Sequence, residues 1–266
     1  MLINDHFQNY KVYHIPRAQL VIADIPYNVG KNAYGSNPAW YIDGDNKNGE
    51  SNLAGKEFFD TDKNFNISEF LHFCTKMIRK EPKARSEAPA MIVFCEFEQQ
   101  FEIIEKVREH GINGYINLIF RKNFSAQVLK ANMRIVGNAE YGLVLYRDKL
   151  PKFRNNGKMI FNVMDWKNDD KTNLYMKIHP TQKPVKLLEK LIQIFTDVGD
   201  VVIDPVAGSG STLVAAHKLH RKAYGFEIKK DIFKKAQEWI ELNERQTDMF
   251  APLKREYTKE QIDLHI

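Results

Sequence analysis

Two stretches of this sequence carry side chains whose types and spacing suit chemistry. The first is Asp24-Ile25-Pro26-Tyr27, which follows the apolar run Leu20 to Ala23. An exocyclic amine on an aromatic ring is a poor nucleophile, because its lone pair is delocalised into the ring. A carboxylate and a backbone carbonyl that accept its two N–H bonds draw that lone pair back toward an electrophile. Asp24 supplies the first and the carbonyl of Ile25 the second, while Pro26 stiffens the turn and Tyr27 offers a ring for a base to stack on. The second stretch is Asp204-Pro205-Val206-Ala207-Gly208-Ser209-Gly210-Ser211-Thr212, with Glu227 some 20 positions beyond it. Glycines there let the backbone approach a ligand, free N–H groups at a helix start favour a polar one, and an acidic residue at that distance suits a ribose hydroxyl.

Several other readings of these turns fail on particular residues. A dinucleotide fingerprint needs a third glycine at the position of Leu213. A phosphate loop is excluded because Gly30-Lys31 is followed by Asn32 and Ile25 stands in place of the first glycine, and Ser209 lacks the flanks of a nucleophile elbow. Each turn taken alone also reads as plain structure; their combination favours nucleoside chemistry.

Both turns need a scaffold, and the chain has the grammar of a parallel sheet. Leu20 to Ala23, Ala90 to Cys95, Tyr115 to Phe120, Val201 to Ile203 and Ala223 to Phe226 read as buried strands. Helices are expected over about Glu98 to His110, stopped by Gly111, and over about Val185 to Phe195 and Ser211 to Leu219. Asn28 to Asn66, with eight asparagines, and about Lys122 to Tyr175 do not read as regular structure. One domain over 1–266 is expected.

The net charge of +5 is modest for 266 residues, but its distribution is uneven. Arg121, Lys122, Lys130, Arg134, Arg147, Lys149, Lys152, Arg154 and Lys158 face only Glu140 and Asp148 over that segment, a surplus suited to an anionic partner. No apolar run approaches the roughly 20 residues of a membrane span, and Met1 to Tyr10 lacks a signal peptide's pattern, so a soluble, cytoplasmic protein is expected. Cys74 and Cys95 are expected to be reduced packing residues, and no metal site is expected.

At these residues the chain resembles the permuted, beta-class amino-methyltransferases of DNA, in which the catalytic tetrapeptide precedes the cofactor turn. The family's Asp-Pro-Pro-Tyr is similar to Asp24 to Tyr27, its Asp-Pro-Phe-x-Gly-Ser-Gly-Thr to Asp204 to Ser211, and its His-Pro-Thr-Gln-Lys-Pro stands intact from His179 to Pro184. The resemblance implies a Rossmann-like α/β fold, a mostly parallel twisted sheet with helices on both faces and inserted target-recognition loops. It implies S-adenosylmethionine as cofactor, held by Asp204, Pro205, Gly208, Ser209, Gly210, Thr212 and Glu227. Thr181, Gln182 and Lys183 would close over it, and Asp5 would face its adenine. His179 is given a loop role rather than that of a base. Two positions depart from the pattern: Ile25 stands for the family's first proline and Val206 for its phenylalanine.

An Asp-first tetrapeptide resembles the adenine-N6 enzymes more than the cytosine-N4 ones, so methylation of a flipped-out adenine in DNA is the expectation. Lys31, Trp40, Tyr41, Arg121, Lys122, Lys130, Arg134 and Arg154 are the expected DNA contacts, the long loop folding over the base and the basic segment gripping phosphates. The alternatives are a cytosine-N4 enzyme, an inactive nucleic-acid-binding relative, and an enzyme acting on RNA. A homodimer is compatible with the sequence, as is either a restriction partner or an orphan methylase.

Overall fold

The computed structural model describes residues 1–27, 65–122, 127–130, 135–167, 169, 178 and 182–260. The short β1 (Leu2–Ile3) precedes a 3-10 helix (Phe7–Tyr13) and β2 (Leu20–Asp24). Next come α1 (Ile67–Met77), β3 (Ala90–Cys95), α2 (Gln99–Arg108) and β4 (Gly114–Lys122). A two-stranded antiparallel pair, β5 (Gln127–Lys130) and β6 (Ile135–Gly137), leads to β7 (Ala139–Tyr146) and β8 (Val163–Trp166). The chain continues through α3 (Val185–Phe195), β9 (Val201–Asp204), α4 (Ser211–Lys218), β10 (Lys222–Phe226) and α5 (Lys230–Glu260).

Eight strands form one sheet in the order β1-β10-β9-β2-β3-β7-β4-β8. Only β7 runs against its neighbours. Alternate residues of each central strand enter opposite cores, as a pleated sheet covered on both faces requires. Leu20, Ile22, Ile92, Phe94 and Val202 pack under α3, α4 and Trp239 of α5. Val21, Ala23, Met91, Val93 and Ile203 pack under the 3-10 helix, α1 and α2. Each fully buried Leu or Ile contributes about 2 kcal/mol, and a one-residue slip would exchange the two sets, so both faces together hold the register. This is the Rossmann-like α/β architecture expected, with Cys74 and Cys95 as buried free thiols in the second core.

Local sequence explains the helix ends. Asn66 caps α1 by accepting from the Ser68 and Glu69 N–H groups. Gly111 ends α2 at φ +73°, a left-handed conformation that costs glycine little, and its N–H donates to the Arg108 carbonyl at 3.0 Å. The apolar spacing of α3 buries Val185, Leu187, Leu188, Leu191, Ile192, Ile194 and Phe195 along one side.

The expectation that 122–175 lacks regular structure is corrected. Within it, β7 lies at the centre of the sheet between β3 and β4, and β8 forms the edge. Gly142 lets β7 pass under the Phe120 ring, where an added Cβ would stand 3.1 Å from Cε2. The expected loop at 28–66 falls, up to residue 64, outside the described residues. Among the described residues no helix is long and apolar enough to cross a membrane.

Candidate active site

The β2–α1–β3 crossover leads toward one side of the sheet and β9–α4–β10 toward the other, so the sheet's order reverses between adjacent β2 and β9. Ligands of open α/β sheets bind at this switch point, beyond the carboxyl ends of the strands. Asp24 ends β2, Asp204 ends β9 and Glu227 follows β10, so all three carboxylates lie at the carboxyl edge of the sheet around this switch point.

The tetrapeptide is firmly placed. Ile25 is buried, and its N–H donates to the Phe94 carbonyl at 3.2 Å, a bond that proline could not make. That bond and the buried side chain hold the turn in place without the family's first proline. Gln99 Nε2 donates to the Pro26 carbonyl at 2.9 Å, while Gln99 Oε1 accepts from the Glu96 N–H. Among the described residues no donor reaches the Ile25 carbonyl.

Around Asp24 lies a charged network that the sequence reading did not foresee. Lys183 Nζ donates to Asp24 Oδ1 at 2.7 Å, to Glu140 Oε2 at 2.9 Å and to the Tyr27 hydroxyl at 3.1 Å. The Tyr27 hydroxyl in turn donates to Asp24 Oδ1 at 3.1 Å, with Glu140 Oε2 at 3.3 Å. Lys122 Nζ meets the other Glu140 oxygen at 2.8 Å. Burial pushes the Asp24 carboxyl up, partly offset by the Lys183 ammonium. Burial would also raise Glu140, but Lys183 and Lys122 outweigh it and hold that carboxyl down at about 2. Lys183 is desolvated, yet its two carboxylates keep its pKa above the ordinary value, and burial keeps the Tyr27 phenol protonated.

The glycine bend has a different character. Gly208 takes φ +52° and Gly210 φ +81°. Among the described residues, an added Cβ on Gly208 would meet only the Val206 carbonyl at 3.9 Å, whereas on Gly210 it would strike Ile240 at 2.9 Å. Pro205, Ser209 and Thr212 are buried. Val206 packs partly buried against the second core, in place of the family's phenylalanine. Burial raises the Asp204 carboxyl to about 7 against its bonds from Thr212 and the Val206 N–H, and the charges of Asp24 and Glu227 add to the rise. Glu227 Oε1 accepts from the Lys229 N–H at 2.7 Å, and burial raises this carboxyl too.

The other expected site residues have the following places. Lys183 pairs with Asp24 of the tetrapeptide. Gln182 Oε1 accepts from the Ile178 N–H at 3.0 Å, bracing its own loop. The start of α3 is already capped, because Asp169 accepts from the Val185 and Lys186 N–H groups at 2.6 and 3.1 Å. Asp5 lies past β1 at the same end of the sheet, its oxygens engaged by the Tyr13 hydroxyl, Asn9 Nδ2 and the His6 N–H.

Of the expected DNA contacts, Arg121 is exposed and pairs with Asp165 at 2.7 Å, while the Lys122 side chain is nearly buried against Glu140. Arg154 lies at the opposite end of the strands from Asp24, bound to Glu87 and Asp197. Lys31, Trp40, Tyr41, Arg134, His179 and Thr181 lie outside the described residues, as does the side chain of Lys130. Glu140, Gln99 and Asp169 are the site residues that sequence reasoning missed.

Comparison with known proteins places this site in a family. A profile for DNA methylases, N6_N4_Mtase, matches residues 18–238. The type II methyltransferase M2.DpnII of Streptococcus pneumoniae is 38% identical over 96 residues, so the match spans 36% of this chain and only 36% of that relative. The DNA adenine methyltransferase YhdJ of Escherichia coli strain K12 is 26% identical over 233 residues, 81% of this chain and 73% of its own length. Among solved structures, the M1.HpyAVI–SAM complex superimposes with a TM-score of 0.61 at 20% identity, covering 90% of this chain and 98% of its own. The cytosine-N4-specific PvuII DNA methyltransferase gives 0.61 at 14% identity, covering 92% and 91%. The two structures share the fold, and the profile spans the strands that end in Asp24 and Asp204, the Glu227 that follows β10 and the segment that carries Lys183: the chain belongs to the N6/N4 DNA methylase family.

Proposed function

We propose that this chain transfers a methyl group from S-adenosylmethionine to the N6 amine of an adenine turned out of DNA. One observation carries the reading: Asp24 and the glycine bend end adjacent strands, so an acceptor amine and a methyl donor can meet in one cleft. The side chains fit the cofactor. An acidic cleft floor of Asp204 and Glu227 suits a ligand with an ammonium, a sulfonium and ribose hydroxyls, and among the described residues no side chain crowds Gly208. When bound, it supplies a methyl on a leaving group that departs without an acid. The protein's part is to orient the amine, with Asp24 and the Ile25 carbonyl taking its two N–H bonds, and to receive the released proton at Asp24 or pass it to water.

The tetrapeptide strand precedes the cofactor strand in the chain, as in the permuted class. Adenine is favoured over cytosine by the Asp-first tetrapeptide and by the name of YhdJ, a DNA adenine methyltransferase. Lys31, Trp40, Tyr41, Arg121, Lys130 and Arg134 remain the proposed DNA contacts, with Thr181 and Asp5 as proposed cofactor contacts. Incubation of methylase-free DNA with labelled cofactor, digestion to nucleosides and mass measurement tests the proposal. N6-methyldeoxyadenosine is expected; N4-methyldeoxycytidine would move the target to cytosine, and no methylated base would end the reading.

The elevated Asp204 carboxyl gives the cofactor site a pH signature. Its charged form attracts the cofactor's ammonium, and it forms only as pH rises toward about 7. Calorimetric titration should therefore show affinity increasing by about tenfold between about pH 5.5 and pH 7, below the range where an α-amino group itself deprotonates. Asp204→Asn should bind more weakly at pH 7 and lose that slope. An unchanged slope in the variant would remove Asp204 from the cofactor contacts.

A further inference from the structure

Lys183 stands where a substrate amine would have to stand. Its ammonium is on Asp24 Oδ1 at 2.7 Å and lies 5.3 Å from the centroids of the Tyr27, Phe94 and Trp166 rings. A carboxylate acceptor among aromatic faces is also what a flipped purine with an exocyclic amine requires. The ammonium thus occupies both the acceptor and the stacking surface. For the amine to reach Asp24, Nζ has to withdraw. With the Lys183 side chain only 6% exposed, a withdrawn ammonium needs another carboxylate close by, because an unpaired charge there is costly.

Glu140 is that carboxylate. Its Oε2 is already 2.9 Å from Nζ, and its Oε1 is anchored by Lys122 at 2.8 Å, so it stays in place whichever way Lys183 leans. The Tyr27 hydroxyl touches both seats, at 3.1 Å from Asp24 and 3.3 Å from Glu140, and bridges the path between them. Held down at about 2, Glu140 is ionised throughout the neutral range.

We propose that Lys183 is a displaceable plug of the base pocket and Glu140 the positioning residue that takes its ammonium when the target amine claims Asp24. The idea rests on the base-methylation reading and goes beyond it, since it gives the Asp24 acceptor a resident competitor.

Initial rates of tritiated methyl transfer to DNA from a host lacking its own methylases test it in wild type, E140Q, K183M and E140Q/K183M. Thermal unfolding checks each fold, and K183Q replaces K183M if the latter does not fold. In E140Q the ammonium has Asp24 as its sole carboxylate among the described residues, so the KM for DNA should rise about tenfold. In E140Q/K183M no plug remains, and the KM should return to within about twofold of K183M alone. A Glu140 that serves only packing would add the same penalty in both backgrounds. An unchanged KM in E140Q, or a penalty that persists undiminished without Lys183, overturns the proposal. A wild-type chain that methylates no DNA would instead sink the base-methylation reading, and the plug with it.

Discussion

Asp24→Asn should lower methyl transfer by about 10²- to 10³-fold, the effect expected when one pre-organised hydrogen-bonding group facing the reacting atoms is lost. The carboxamide keeps the shape of the side chain but offers one weaker acceptor and an N–H₂ that repels the substrate amine. The Lys183 ammonium retains Glu140 as its counterion at 2.9 Å, so the buried network survives and the fold should be unaffected. Cofactor affinity, measured by calorimetry, should change little, because the Asp204 and Glu227 carboxylates lie on other strands. The loss should therefore appear in kcat, measured with saturating DNA and cofactor. Near wild-type turnover by this variant would mean that another group accepts the amine.

Much of the scaffold was legible because its signals are local. Short apolar runs gave β2, β3 and β9 to within a residue, Gly111 marked the end of α2, and the bounds of α3 matched at both ends. The sequence did not make β7 legible, and with it Glu140 was missed. Its fully buried stretch is only Gly142 to Leu145, set among basic residues and asparagines. Parallel strands also direct attention to the last residue of each run. Because β7 is antiparallel, its beginning lies at the carboxyl edge of its neighbours, so Glu140 reaches the cleft from a position where no strand-end rule looks. Lys183 was legible as a motif residue but not as a partner of Asp24. The two are far apart in sequence, and only the docking of α3 on the first core brings Nζ to β2. Composition gave no guide to the placement of Lys152 and Arg154 either: a count of basic residues carries no information about which end of a strand they lie near.

We expect those two residues to support stability rather than to bind DNA, and Lys152→Met should show it. The Lys152 side chain is 7% exposed, with Nζ at 2.7 Å from Asp197, 2.8 Å from Asp200 and 3.6 Å from Glu87. Arg154 binds Asp197 and Glu87, and Arg79 binds Asp200 at 3.1 Å. The cluster fastens the segment after β7 to the amino ends of β3 and β9, where the Lys152 N–H donates to the Ala88 carbonyl. Removing the buried ammonium costs more than the pair contributes in place, because Asp200, whose side chain is only 11% exposed, stays desolvated with Arg79 as its remaining cationic partner. A loss of about 3 kcal/mol is expected, which corresponds to a fall in Tm of roughly 6–10 °C. Its pH dependence has a definite sign. Lys152 is desolvated, but its bonds to Asp197 and Asp200 raise its pKa above 10.5, so its contribution is complete below that pH and disappears as pH rises through the higher folded value. Asp197 is held below its ordinary 3.8 by Arg154 and Lys152, so the contribution also fades as pH falls below that value. The gap in Tm between wild type and variant should thus be constant through neutral pH and close at both extremes. Methyl transfer per folded molecule should be unchanged, because the cluster sits at the opposite end of the strands from Asp24. A variant that kept its Tm but lost DNA affinity would return Lys152 to the DNA-contacting face.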